Sequence, residues 1–353
     1  MIGNSLDIDE VIEVSDDQIV LPAFIDEHIH GGYSFDSMDS NEEVLYSMAK
    51  NIAKEGTATF LATTMTQSNE NILSALSSIK THIDSKRKDC AKLLGIHLEG
   101  PFISEKFVGA QAPDYLRTPD IDLFDKLNKK SGKKIKMVSL APEIDGGLEF
   151  IKQLKARRIA CSVGHSNAGY EDVEKAIDCG LDSVTHTFNA QRPIHHREIG
   201  VAGSALLFDS LYTEIICDLV HLSIPAIKLV LKSKPHNKII LITDSMRAKG
   251  LPDGISELGG QKTIVKNGEA RLENGALAGS TLKMNIAIKN LVEKVGVSLT
   301  DAVDFATINP AKHLKINRLY GSISKGKYAN FCVLNKDFSV AKTIVEGLEV
   351  FKA

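Results

Sequence analysis

The chain has 353 residues, 43% hydrophobic and 25% charged, with a formal net charge of −3. That length suits one large α/β barrel, and the composition supports an ordinary packed core. The slight negative charge argues against a nucleic-acid partner, no apolar run reaches membrane-spanning length, and the acidic start MIGNSLDIDEVIEV lacks the basic-then-apolar pattern of a secretory leader. Five scattered cysteines (Cys90, Cys161, Cys179, Cys217, Cys332) form no CxxC pair. They read as reduced core thiols, which fits a cytoplasmic protein.

In chain order, eight apolar runs of strand length recur: Gln18–Asp26, Thr57–Thr64, Lys92–Glu99, Lys134–Ala141, Ile159–His165, Ser183–Phe188, Glu214–Asp218 and Lys238–Asp244. They are rich in Ile, Val and Leu and alternate poorly, as strands buried on both faces do. Helical spacing fills Asn41–Glu55, Asn69–Lys86, Gly169–Cys179 and Ile224–Lys232, and after the eighth run Thr281–Val295, Ser298–Ile308 and Asn309–Leu314. Thr118-Pro119 reads as an N-cap followed by proline in the first turn, Ser298 with Asp301 as a capping box, and Asn309-Pro310 as a further helix start. Eight strands alternating with helices predict a (β/α)8 TIM barrel over residues 21–320. Residues 1–20 and 321–353 hold strand-like pieces without a clear helix, and predict a small β subdomain built from both termini.

Polar residues gather where these runs end. The first ends in Asp26-Glu27-His28-Ile29-His30, the third in His97-Leu98-Glu99, the fifth in Gly164-His165, the sixth continues past Thr185-His186, and the eighth ends in Thr243-Asp244. Catalytic groups of a barrel lie at this C-terminal mouth. His28 and His30, two apart in an extended segment, present both rings on one face and could grip one cation. The plain alternatives are loop histidines for this pair, a helix-capping or solvated carboxylate for Glu99, hydrogen-bonded core histidines for His165 and His186, and an N-cap for Asp244. Convergence at one mouth favours chemistry over these. A charge following the buried run Ile239-Ile240-Leu241-Ile242-Thr243 is costly unless paired or metal-linked, which makes Asp244 a candidate general base and then general acid. Imidazoles and carboxylates without thiolates suit zinc, iron or manganese.

The stretches His97-Leu98-Glu99-Gly100-Pro101-Phe102, Gly164-His165-Ser166, His186-Thr187-Phe188-Asn189-Ala190, His195-His196-Arg197-Glu198-Ile199-Gly200, Thr243-Asp244 and Leu277-Ala278-Gly279-Ser280-Thr281 resemble the N-acetylglucosamine-6-phosphate deacetylases of the amidohydrolase superfamily. The likeness runs from about Leu21 to about Leu334, and Asn189-Ala190 followed by His-His-Arg-Glu is its most specific part. The resemblance implies hydrolysis of the acetamide of N-acetyl-D-glucosamine 6-phosphate, with Glu99, His165 and His186 as primary metal ligands. His28 and His30 are similar to the HxH of members that hold a second metal, so one or two cations per chain are implied. Asp244 matches the catalytic aspartate. Asn189 and Ala190 match a phosphate contact, and Arg197 an arginine reaching the phosphate from the other subunit of a homodimer. His221 and Leu277-Ala278-Gly279 match sugar contacts, and Ala110-Gln111 a contact near the acetyl group, where some members carry histidine in place of Gln111. The chain departs from the family in its short N-terminal segment, which implies a reduced β subdomain. Dihydroorotase- and hydantoinase-like hydrolases use a carboxylated lysine after the fourth strand; here that run ends Ser139-Leu140-Ala141-Pro142 without one. A scaffold that had lost catalysis would show damaged ligands, and every one is present.

Overall fold

The computed structural model describes residue 11 and residues 13–353. Eight parallel strands follow one another around a barrel in chain order: Phe24–Ile29, Thr57–Thr64, Lys92–Glu99, Ile135–Leu140, Ala160–Val163, Ser183–Val184, Tyr212–Ile216 and Ile239–Ile242. The eighth closes on the first through the Asp244 amide, which donates to the His28 carbonyl at 2.8 Å, and the Thr243 amide, which donates to Asp26 Oδ1 at 3.3 Å. The second strand is buried along its whole length, and the fourth is buried except at Lys136. Helices pack outside, each with its apolar stripe inward; Glu42–Ala53, for example, buries Leu45, Met48, Ala49, Ile52 and Ala53.

The first barrel strand, FIDEHI, is fully buried although half of it is ionisable or polar. Each such side chain has a distant partner. Asp26 Oδ2 accepts from the Thr243 hydroxyl at 2.5 Å, Glu27 Oε1 pairs with His313 Nδ1 at 2.8 Å, and His28 Nδ1 meets Glu214 Oε2 at 3.1 Å. Without these partners the strand would carry several kcal/mol of desolvation cost, on the order of 1–3 for each orphaned group.

Several expected boundaries shift. The run Gln18–Asp26 is two strands: Ile19–Pro22 pairs antiparallel with Phe331–Leu334, and only from Phe24 does the chain enter the barrel. The division falls after Pro22, which lacks an amide hydrogen to continue a ladder. Past Thr118-Pro119 the helix starts at Ile121, because the Asp120 carboxylate takes the amides of Asp122 and Leu123 and so becomes the N-cap. Asn309-Pro310 lies inside the helix Ile308–His313; Asn309 instead donates to the carbonyls of His236 and Ile239. The stretch Thr281–Val295 becomes helical only at Met284 and finishes as a π turn over Asn290–Val295. The sixth strand is two residues long, and the chain then coils through the site. At Ser298 the cap holds, with its hydroxyl accepting from the Asp301 amide at 3.1 Å.

Among the described residues three additional sheets accompany the barrel, the smallest a two-stranded pair of Gly31–Gly32 with Phe35–Asp36. Ile19–Pro22, Phe331–Leu334, Val340–Val345 and Leu348–Lys352 form a four-stranded antiparallel sheet from both ends of the chain. Of the N-terminal segment expected to join it, residues 1–10 and 12 lie outside the described residues. After the eighth strand comes a three-stranded meander, Gly254–Leu258, Gln261–Lys266 and Glu269–Leu272. Its two-residue turns Gly259-Gly260 (φ 57° and 80°) and Asn267-Gly268 (φ 53° and 76°) are left-handed at both positions, as tight hairpins require. Among the described residues, no helix is long and apolar enough to cross a membrane.

Candidate active site

The strand ends bring six buried side chains into two groups: His28, His30 and Asp244, and Glu99, His165 and His186, with ligand atoms in each group within 4.8 Å of one another. Glu99 joins the two. Its Oε1 lies 3.2 Å from His165 Nε2, 3.1 Å from His186 Nε2 and 3.5 Å from His28 Nε2, and its Oε2 lies 3.1 Å from His30 Nε2. Asp244 Oδ1 lies 3.4 Å from His28 Nε2 and 3.2 Å from His30 Nε2. His165 (φ 50°), His186 (φ 29°) and Asp244 (φ 46°) all hold left-handed backbone. Such a conformation costs about 1–3 kcal/mol for a non-glycine residue and persists where the surroundings impose it.

The donor chemistry fits a cation. His165 Nδ1 meets the Phe107 carbonyl at 3.0 Å, so that nitrogen carries a hydrogen and Nε2 is the atom left to face Glu99 as a ligand. His28 is set the same way, because Glu214 Oε2 takes its Nδ1 hydrogen. His165 and His186 also bring their Nε2 atoms to 3.1 Å of each other. Lone pairs converging on a carboxylate repel unless positive charge lies among them. In the protein alone, protons supply it: burial drives the His28 and His30 imidazoles down, but Glu99 and Asp244 outweigh burial, lifting His28 well above its usual range and His30 to about 9. Against the cost of its own burial, the His28 charge leads in holding Glu99 well below the carboxylate range, and the His28 and His30 charges bring Asp244 to about 2. A divalent cation on these atoms would supply the same charge without protons.

These groups form one side of a cavity of about 420 Å³. His30, Glu99, His165, His186, Asp244, Ala110, Gln111, Asn189, Ala190, His221, Leu277 and Gly279 all line it; His28 lies fully buried behind them. Gln111 is fully engaged: its Oε1 accepts from the Thr66 amide at 2.7 Å, and its Nε2 donates to Glu99 Oε2 at 2.8 Å. That leaves Gln111 orienting the bridging carboxylate. His221 Nδ1 is held by Asp218 Oδ2 at 2.6 Å. Gly279 (φ 64°) is required, since a Cβ there would come to 3.0 Å from the Asp244 carbonyl. Ala278 does not reach the cavity; it is fully buried in the cluster with Met65 and Met246. Arg197 lies outside the cavity lining, exposed, with Nη1 2.6 Å from His196 Nε2.

Sequence reasoning passed over Glu214 and Arg271. Glu214 Oε2 accepts from both His28 Nδ1 (3.1 Å) and the His186 amide (3.0 Å), tying the imidazole of one group and the backbone of the other to a single buried oxygen. The signal was a carboxylate opening the seventh apolar run. Arg271, on the meander, stands in the cavity lining.

The chain belongs to the amidohydrolase family, whose model matches residues 19–350. Members of this family are generally metal-dependent, in keeping with the two ligand groups. Within it, the chain is similar to N-acetylglucosamine-6-phosphate deacetylases. The Bacillus subtilis enzyme of that name is 43% identical over 338 residues, 95% of this chain and 85% of that protein. The crystal structure of the Thermotoga maritima enzyme superposes with a TM-score of 0.89 at 38% identity, covering 98% of this chain and 92% of the other. A mutant of the Mycobacterium smegmatis enzyme, solved in complex with N-acetyl-D-glucosamine-6-phosphate, gives a TM-score of 0.90 at 30% identity, covering 94% and 87%.

Proposed function

We propose that this chain hydrolyses the acetamide of N-acetyl-D-glucosamine 6-phosphate, giving D-glucosamine 6-phosphate and acetate. One observation carries the reading beyond the likeness to named deacetylases: Glu99, His165 and His186 meet Asp244, His30 and, buried behind them, His28 at one wall of a cavity of a size that holds a phosphosugar. Glu99, His165 and His186 would hold a first divalent cation (zinc, iron or manganese), and His28 and His30 a second. Such a cation activates water at neutral pH and draws charge from an amide carbonyl.

The residues then divide the work. Asp244 takes a proton from the attacking water and passes it to the departing amine nitrogen as the C–N bond breaks. Gln111 and Glu214 fix the orientation of Glu99 and His28. His221 and the backbone of Leu277 and Gly279 border the space for the sugar, Ala110 the acetyl end, and Asn189 and Ala190 the phosphate. Arg197, outside its own cavity, would serve the phosphate in the partner site of a homodimer. We further assign residues 21–320 to the catalytic barrel and 1–20 with 321–353 to the β subdomain. We place the reaction in cytoplasmic amino-sugar catabolism and cell-wall recycling. Acetate release from the phosphosugar, measured before and after chelation and after cation is restored, tests the reading. A purified protein that releases no acetate when loaded with any of the three metals would end it.

A further inference from the structure

A phosphate ester carries up to two negative charges, yet the ionisable residues around the cavity are mostly of the wrong kind to receive it. Among the described residues its lining holds two carboxylates, Glu99 and Asp244, four imidazoles, no lysine and one guanidinium, that of Arg271. Arg271 belongs to the strand Glu269–Leu272, the outer strand of the meander that follows barrel strand eight. Its side chain is neither buried in a core nor loose in solvent. Nε and Nη2 donate to Glu269 Oε2 at 3.2 and 2.9 Å, and Nη1 donates to the Gly275 carbonyl at 2.9 Å. These bonds use three of the five N–H groups of a guanidinium and leave one on each Nη uncommitted. The side chain keeps 44% of its surface open. Its positive charge is felt at His221 on the cavity wall, where it opposes protonation of the imidazole.

We propose that Arg271 is the anion-binding residue this chain supplies to its own cavity, taking phosphate oxygens with its two uncommitted N–H groups. The proposal rests on the phosphosugar reading above and adds to it a specificity residue on the meander. The meander has a local reason to aim the group: residues 269 and 271 share one face of the strand, so Glu269 holds the guanidinium plane from one edge while Gly275 holds it from another. The fork is thus ordered before substrate arrives, and less rotamer entropy is lost on binding. Glu269 does not line the cavity, so its charge tempers Arg271 without facing the phosphate.

Arg271 also steadies the turn at Gly275 next to Leu277, and a purely structural role must be separable from anion binding. The test compares R271M, R271K and E269Q with the wild type on N-acetylglucosamine 6-phosphate and on N-acetylglucosamine, together with calorimetric titration of each protein with inorganic phosphate. Loss of a charge-assisted forked contact should raise KM for the phosphorylated sugar about 10-fold or more in R271M. In the same variant kcat should stay within a few-fold, and kcat/KM for the unphosphorylated sugar should be unchanged. R271K, which keeps charge but loses the fork, should fall between. E269Q should lower KM for the phosphorylated sugar, because it removes the competing carboxylate. Equal losses on both sugars, or an unaltered phosphate preference in R271M, would overturn the proposal. If the wild type deacetylates neither sugar, the functional reading fails, and the phosphate titration decides Arg271 by itself: binding by the wild type and its loss in R271M uphold the anion site, and equal binding or none overturns it.

Discussion

Replacing Glu214 with leucine should weaken cation binding without touching a proposed ligand. One oxygen of Glu214 accepts from His28 Nδ1 at 3.1 Å and from the His186 amide at 3.0 Å, and both His28 and Glu214 have fully buried side chains. With leucine there, two buried donors lose their acceptor, at about 1–3 kcal/mol each, and the His28 ring is free to adopt the tautomer that puts hydrogen on Nε2. A ring with hydrogen on Nε2 presents no lone pair to the space between Glu99 and Asp244. Outer-shell partners of metal-bound histidines typically contribute about 10- to 100-fold in affinity, or roughly 1.4–2.8 kcal/mol. The loss should fall mainly on the cation held with His28. Glu214→Gln keeps an oxygen that can accept both hydrogens, so it should retain affinity within a few-fold. Competition of the metal-loaded proteins against a chromophoric chelator reads both stoichiometry and affinity, independently of turnover. If E214L binds two equivalents as tightly as the wild type, the argument from ring orientation is wrong.

Asp244→Asn should cut kcat by at least about 100-fold while circular dichroism and metal content stay unchanged, and near-normal turnover would remove Asp244 as the proton carrier. If Arg197 serves the partner site, then R197A mixed and refolded with D244N should regain activity, since half of the sites in a mixed dimer carry both intact residues. Activity no greater than that of the separate variants would place Arg197 outside the reaction. Burial pulls the Lys234 ammonium from 10.5 down to about 8, with Asp209 opposing and Lys238 adding to the effect. Between those values the unfolded chain holds a proton that the fold has released, so folding stability should rise with pH across that window, the full penalty being present below about 8. Urea denaturation of the wild type and Lys234→Met across pH 7.5–10.5 should show this rise in their difference; a flat difference would refute it.

The barrel was legible because parallel strands covered on both faces leave nearly continuous apolar runs, and because chemistry at a barrel mouth interrupts those runs at their ends. Glu99, His165 and Asp244 were each visible as a polar residue where an apolar run stops, and His186 as one set inside the sixth run. The charges inside the first strand were visible too, but their meaning was not. Asp26, Glu27 and His28 are satisfied by residues 217, 286 and 186 positions away, and no local pattern encodes a partner at that distance. Glu214 belongs to the same class, since it stands within strand seven and does its work on strand one, beyond the eighth strand, and on the chain leaving strand six.

The meander is a different case. Gly259-Gly260 and Asn267-Gly268 are recognisable two-residue hairpin turns, and the buried Thr263 and Val265 alternate with the exposed Lys262, Ile264 and Lys266. Its relation to the cavity was what sequence could not supply: an arginine facing outward on an alternating strand reads as solvated surface until the sheet is placed over the barrel mouth. The residues most open to sequence reading are therefore those proposed to meet the cation, where each strand end acts alone. Those that hold the ligands in register, and the one that reaches the cavity from an added sheet, depend on contacts that exist only once the barrel has closed between Asp244 and His28.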